Sequence, residues 1–275
     1  TLLCFLLHLF ISIIMEPKEL QYSVASYSTK TVGCLSPEVN AKGFILIDYH
    51  TGKVLAEGNA DTPLAPASLT KMMTSYVVGT EIKNGNIKPE DQVTISENAW
   101  AKKYSDSSKM FIEVGATISV NELNRGIIIQ SGNDACVAIA EHIAGTEGAF
   151  VELMNAHAKR LGMENTHFSN AHGLPDEAQR TTARDMSTLG VALMRDFPKE
   201  YELFATKSFK FRGKTITGHN NLMYRYKGMD GIKTGYTNAS GFNLVSAVKD
   251  GNRRVIGVVM GGRSAASRDK IMEKL

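Results

Sequence analysis

The sequence predicts an α/β (α+β) domain in which an antiparallel sheet is flanked by helices and carries an inserted, mainly helical subdomain. Runs with strand character open and close the chain, and the apolar residues between them recur at three- and four-residue spacing. The 275 residues, 43% of them apolar, are enough to bury a sizeable core. The order sheet, helices, sheet, helix pairs the early hairpin with the late strands and leaves the helices as an insert and as layers on the sheet.

Thr1 to Met15 is almost wholly apolar, the length of the central region of an export signal and too short to span a bilayer comfortably. Glu16-Pro17-Lys18-Glu19 follows it, and Ser23-Val24-Ala25 offers a small-residue cleavage site. Export is therefore expected, to the periplasm or the outer face of the cytoplasmic membrane, with a buried N-terminal helix as the competing reading.

Gly43 to Asp48 and Lys53 to Glu57 read as two strands around a glycine-containing turn. From Pro66 the pattern turns helical through Leu69, Met72, Met73, Tyr76 and Val77, and it frays by Lys83-Asn84-Gly85. A second helical block runs from Val120 to Ile129, pauses at Gln130-Ser131-Gly132-Asn133 and resumes from Asp134 to Ile143. Helices are predicted at Gly148 to Leu161 and Thr182 to Arg195, around a polar loop holding His167, His172 and Asp176. Strand character returns at Phe209 to Phe211, Gly231 to Tyr236, Phe242 to Val248 and Val255 to Met260, and a last helix runs from about Ser267.

Charge excludes one large class of partner. The formal net charge is +3, with acids and bases mixed along the chain, so no nucleic-acid footprint stands out. Cys4, Cys34 and Cys136 form no C-x-x-C pair, and His157, His167, His172 and His219 have no H-x-x-x-H spacing, so no metal site and no cofactor are expected.

Chemistry is carried instead by three short motifs. A serine hydroxyl needs a base, and a lysine serves if its ammonium is destabilised by burial or by another cation. Ser68 and Lys71, three apart at a helix start, share a face, and the Ser68 backbone N–H is free to donate to a developing oxyanion. Ser131-Gly132-Asn133 supplies a hydroxyl able to relay a proton and an amide able to hold both a lysine and a substrate amide. Lys233-Thr234-Gly235 sets a cation, a hydroxyl and a bare position on a strand, a groove for a peptide with a free carboxylate. A charged Lys233 near Lys71 would also help keep the base neutral.

Each motif alone is cheap. Ser267 and Lys270 repeat the first spacing, and Ser96-Glu97-Asn98 and Ser119-Val120-Asn121 repeat the second. Together and in this order they match the signature of class A β-lactamases and penicillin-binding proteins, with S-G-N here in the middle. The stretches Ala65 to Met73, Ser131 to Cys136, Asp230 to Gly235, Asn165-Thr166-His167-Phe168 and His172-Gly173-Leu174 make the resemblance more specific. From about Lys42 to its end the chain resembles a low-molecular-mass penicillin-binding protein, a D-alanyl-D-alanine carboxypeptidase with a serine β-lactamase-like fold.

The resemblance implies a division into 1–41, a signal-like segment and extension, and 42–275, a transpeptidase-like serine peptidase domain. It implies that Ser68 forms an acyl-enzyme, Lys71 accepts its proton and Ser131 passes a proton to the departing D-alanine. Lys233 would bind the substrate, Asn133 and Thr234 would position it, Gly235 would let its backbone approach, and the Tyr236 backbone N–H would be the second oxyanion donor. The implied partners are a peptidoglycan stem peptide ending in D-Ala-D-Ala and β-lactam antibiotics as acylating inhibitors. Such enzymes usually add a β-rich domain and a C-terminal amphipathic anchor, so membrane association is expected through a segment absent from this chain. A class A β-lactamase would need an added carboxylate base, for which Glu164, Asp176 and Glu177 are the available acids without a recognisable motif. A cross-linking transpeptidase would share the acylation step, and a wall-binding sensor would keep the pocket without turnover. His219, ahead of the last motif, is placed to touch substrate.

Overall fold

Gly43–Asp48 forms strand β1 and Val54–Gly58 strand β2. Their turn is set by Asp48, whose carboxylate accepts the Thr51 N–H and hydroxyl, both at 2.8 Å, in the local manner that makes aspartate a turn residue. The computed structural model describes residues 39–275, so the apolar stretch Thr1 to Met15, Cys4 and Cys34 lie outside the described residues.

Helix α1 (Thr70–Lys83) follows, buried on every side from Thr70 to Gly79, so it is a central helix and not the one-faced helix its spacing suggested. Next come a two-stranded ribbon, β3 (Gln92–Thr94) with β4 (Thr117–Ser119), and α2 (Val120–Arg125), which opens with a reciprocal Ser119–Glu122 cap. A single π-helical turn, Gly126–Gln130, leads to Ser131 and then α3 (Asn133–Ala144). Helices α4 (Glu147–Arg160) and α5 (Ala183–Asp196) open on Thr146 and Thr182, whose hydroxyls accept N–H groups of the first turn. Each such cap contributes about 1 kcal/mol. Short α6 (Pro198–Tyr201), the ribbon β5 (Ser208–Phe211) with β6 (Lys214–Thr217), and short α7 (Leu222–Arg225) precede the last strands.

Those strands are β7 (Met229–Thr237), β8 (Gly241–Asp250) and β9 (Arg253–Gly262), and α8 (Ala265–Lys274) ends the chain. The antiparallel sheet runs β2-β1-β9-β8-β7, so the early hairpin joins the late strands as predicted. Strand period two divides its residues between two cores. Ile45, Val245, Ala247, Ile256 and Val258 pack with the helical insert, while Phe44, Leu244 and Val259 pack with Ile271 and Met272 of α8. Each fully buried aliphatic side chain contributes about 1.5–3 kcal/mol. The register, Leu244 opposite Val259 and Val245 opposite Val258, leaves β7 as an edge strand whose free side faces the insert.

Candidate active site

Ser68 stands on a one-turn 3-10 segment, Ala67–Leu69, and Lys71 lies in the first turn of α1. The two are neighbours because they are three apart on one helical face. Lys71 is completely buried, with Nζ 3.0 Å from Ser68 Oγ, 2.7 Å from Asn133 Oδ1 and 2.5 Å from the carbonyl oxygen of His172.

Two of those three oxygens can only accept. A neutral amine has two N–H bonds and one lone pair, so donating to Asn133 and His172 leaves the lone pair for the Ser68 hydroxyl. With the amine neutral, this arrangement can accept the Ser68 proton. Gly173 makes it possible: at φ +91° a Cβ there would come within 1.9 Å of Ala67 O, so only glycine lets the 172–173 backbone reach this helix start.

Ser131 holds a left-handed conformation, φ 62° and ψ 36°, which costs a non-glycine residue about 1 kcal/mol. Its Oγ accepts from Lys233 Nζ at 3.0 Å, and Lys233 also donates to Thr234 O at 3.0 Å. Asn133 begins α3, and its Nδ2 donates to Ser107 Oγ at 2.8 Å. Gly235 packs β7 against the Ser68 turn, where a Cβ would sit 3.1 Å from Ser68 N. The bare position thus lets the strand approach Ser68. Tyr236 is half-exposed at the rim, its ring stacked on Phe242 with centroids 4.2 Å apart and its hydroxyl donating to Asn238.

The two lysines share one buried space and titrate as a pair. Burial lowers Lys71 to about 8; burial, with the Lys71 charge second, lowers Lys233 to about 7. Burial is thus the main cause at Lys71, and the neighbouring-cation effect expected there acts visibly on Lys233. With these values Lys233 is the first of the two to lose its charge as pH rises, and the last proton rests on Lys71 until an anion beside Lys233 would draw it across.

Ser68, Ser131, Asn133, Thr234, Gly235 and Tyr236 line one cleft of about 770 Å³, with His219 and Arg268 also on its wall. His219 Nε2 lies 3.2 Å from Gln130 O, and burial together with the Lys233 charge lowers its pKa. The cleft is lined by one carboxylate among the described residues, the exposed Asp106. Asp176 instead caps a turn, accepting from the Ala178 N–H at 2.9 Å. The repeated spacings have structural uses: Ser119 caps α2, Ser96 Oγ donates to Glu141, and Lys270 is exposed on α8.

Three contributors were not named from the sequence. The His172 carbonyl and Ser107 act through contacts 101 and 26 residues away, which no local pattern announces. Arg268, with Nε and Nη2 on Asp269 Oδ1 and Nη1 on Asn243 O, brings a buried cation to the cleft from inside a discarded S-x-x-K spacing. Its signal lies only in the packing of α8 on the sheet.

A family model described as D-alanyl-D-alanine carboxypeptidase matches residues 30–264. The D-alanyl-D-alanine carboxypeptidase DacA of Escherichia coli (strain K12) is 48% identical over 243 residues, covering 87% of this chain and 60% of that protein. The chain thus spans about 60% of the length of the curated relatives it first matches. The structure of penicillin binding protein 5 from Haemophilus influenzae is similar at a TM-score of 0.85 and 44% identity, covering 87% of this chain and 70% of that one. Penicillin-binding protein D2 from Listeria monocytogenes, in an ampicillin-bound form, is similar at a TM-score of 0.78 and 28% identity, covering 86% and 96%.

Proposed function

The chain belongs to the D-alanyl-D-alanine carboxypeptidase family, and from that membership we propose that it is a serine-type D-Ala-D-Ala carboxypeptidase. It removes the terminal D-alanine from peptidoglycan stem pentapeptides through a Ser68 acyl-enzyme, and β-lactams acylate the same serine. Residues 42–275 are the catalytic unit of this reading. The carrying observation is Lys71 Nζ, held by two pure acceptors with its third position on Ser68 Oγ.

The terminal carboxylate of the substrate is gripped by Lys233 and Thr234; Thr234 lines the cleft with Arg268, and Lys233 lies buried beside it, 3.0 Å from Ser131 Oγ. Its arrival draws the shared proton to Lys233 and frees the lone pair of Lys71. Lys71 takes the Ser68 proton as Oγ attacks the scissile carbonyl, and the N–H groups of Ser68 and Tyr236 stabilise the oxyanion. As the C–N bond breaks, Ser131 passes a proton to the departing amine and is resupplied by Lys233, 3.0 Å away. The proton held by Lys71 then passes back to Lys233, and the neutral Lys71 takes a proton from water as it attacks the acyl carbonyl and returns that proton to Ser68 Oγ as the ester bond breaks, releasing the shortened peptide. The site is reached after export, in the periplasm or on the outer face of the cytoplasmic membrane. Among the described residues no helix is long and apolar enough to cross a membrane.

Incubation with a labelled penicillin and with diacetyl-Lys-D-Ala-D-Ala tests the reading. A covalent adduct together with release of free D-alanine is expected. Rapid loss of the adduct with no D-alanine release would instead indicate a β-lactamase, and no adduct at all would remove the acyl-enzyme.

A further inference from the structure

Residues 104–109 run along the insert side of the cleft and belong to none of the three motifs. Lys109 is half-buried there, and its ammonium donates to Ser105 O at 2.6 Å, Tyr104 O at 3.0 Å and Ser107 O at 3.4 Å. One cation thus gathers three carbonyls of a single turn, whose dipoles would otherwise repel one another. Inside that turn the Ser107 hydroxyl donates to Tyr104 O at 3.2 Å, so its lone pairs face Asn133, whose Nδ2 donates to it at 2.8 Å. The contact decides which way round the carboxamide sits, nitrogen to Ser107 and oxygen to Lys71. Past Lys109 the chain is tied separately, because the buried Asp134 carboxylate accepts the Met110 and Ile112 N–H groups. Ser108 O accepts the Asn133 N–H at 2.9 Å and Lys109 O accepts from Gln130 Nε2 at 3.3 Å, so the far side of the loop is tied to the start of α3 while the ammonium clamp holds the turn 104–107 that carries the Ser107 hydroxyl.

We propose that Lys109 is a positioning residue for the acyl transfer: it holds the turn that fixes Ser107, and Ser107 fixes the carboxamide of Asn133 with its oxygen on Lys71. The inference rests on the proposed reaction and goes beyond its three motifs. A reversed carboxamide would point an N–H at Lys71, occupy the lone pair meant for the Ser68 hydroxyl and disfavour the ammonium form. The charged or titratable groups facing Lys71 are Asp134 and Cys136 on α3, Lys233 on β7, and His172 and His219 on loops.

The test is the second-order rate of acylation by a labelled penicillin, measured from about pH 5.5 to about pH 10 on the purified chain and its Lys109→Met and Lys109→Arg variants. Lys109→Met is expected to lower the plateau roughly tenfold and move the acid limb to lower pH, while Lys109→Arg, which keeps a multiple donor, retains both. Loss of a nearby cation alone would move the limb to higher pH, and loss of folded protein would lower the plateau with the limb unmoved. An unmoved limb, or one moved to higher pH, overturns the proposal. Ser68→Ala, run alongside, separates the two claims: its failure to label upholds the nucleophile whatever Lys109 does, and its labelling overturns the reaction itself.

Discussion

At the scale of single residues, the proposed activity turns on one proton shared by two buried amines. With Lys71 lowered to about 8 and Lys233 to about 7, the singly protonated pair is most populated between those values. Acylation is therefore expected to rise as pH climbs toward about 7 and to fall above about 8, a bell that a stopped-flow pH series would show. A rate still climbing well above that range would mean that Lys233 need not carry charge. Ser68→Ala is expected to remove both adduct and D-alanine release, and Lys71→Ala to remove acylation by roughly 10³-fold or more with the fold intact by circular dichroism. A Lys71→Ala protein that labels at the native rate would assign the base elsewhere.

At the scale of elements, the site lies where an edge strand meets a helix start, and close approach is what the sequence had to permit. Gly235→Ala puts a methyl 3.1 Å from Ser68 N, so β7 must retreat by a few tenths of an ångström. We expect acylation to fall by at least tenfold with little change in melting temperature, since a small misplacement costs rate more than stability. The start of β7 is anchored by Arg254, which donates to both oxygens of Asp230 at 2.7 and 2.6 Å, with Tyr201 Oη on the same carboxylate. Asp230→Ala should cost about 2–3 kcal/mol in denaturant unfolding, as the partly buried guanidinium loses its partner. Much of this scaffold was legible in the sequence, because strands β7 to β9 and helices α1, α3, α4 and α5 carry their own periodicity. Strand β5 showed at Phe209 to Phe211, whereas β3, β4 and β6, of three or four residues, are too short to show one. Ser68, Lys71, Ser131 and Lys233 could be named because their residue types and spacing encode the chemistry. Ser107, the His172 carbonyl and Arg268 could not, because only tertiary packing brings them to the cleft.

At the scale of the whole molecule, the fold buries titratable groups and so ties stability to pH. Burial, and then the Arg160 charge, lowers His157 from 6.5 to about 4, so the unfolded chain binds this proton more readily. The stability it contributes is fully present above about 6.5 and is lost as pH falls toward about 4. Removing the imidazole in His157→Gln should flatten this slope by about 2 kcal/mol, read from melting temperatures across that range. A slope identical to the parent protein would show that His157 is charged in the fold. The sheet, the central helix and the insert together exist, on this account, to hold one hydroxyl against one uncharged amine. The most direct measurement is peptide mapping by mass spectrometry after brief exposure to penicillin, on the parent chain and on Lys71→Ala. The account predicts a single penicilloyl group on the peptide containing Ser68 in the parent and none in the variant. An adduct on any other residue, or an equal yield at Ser68 without Lys71, would contradict it.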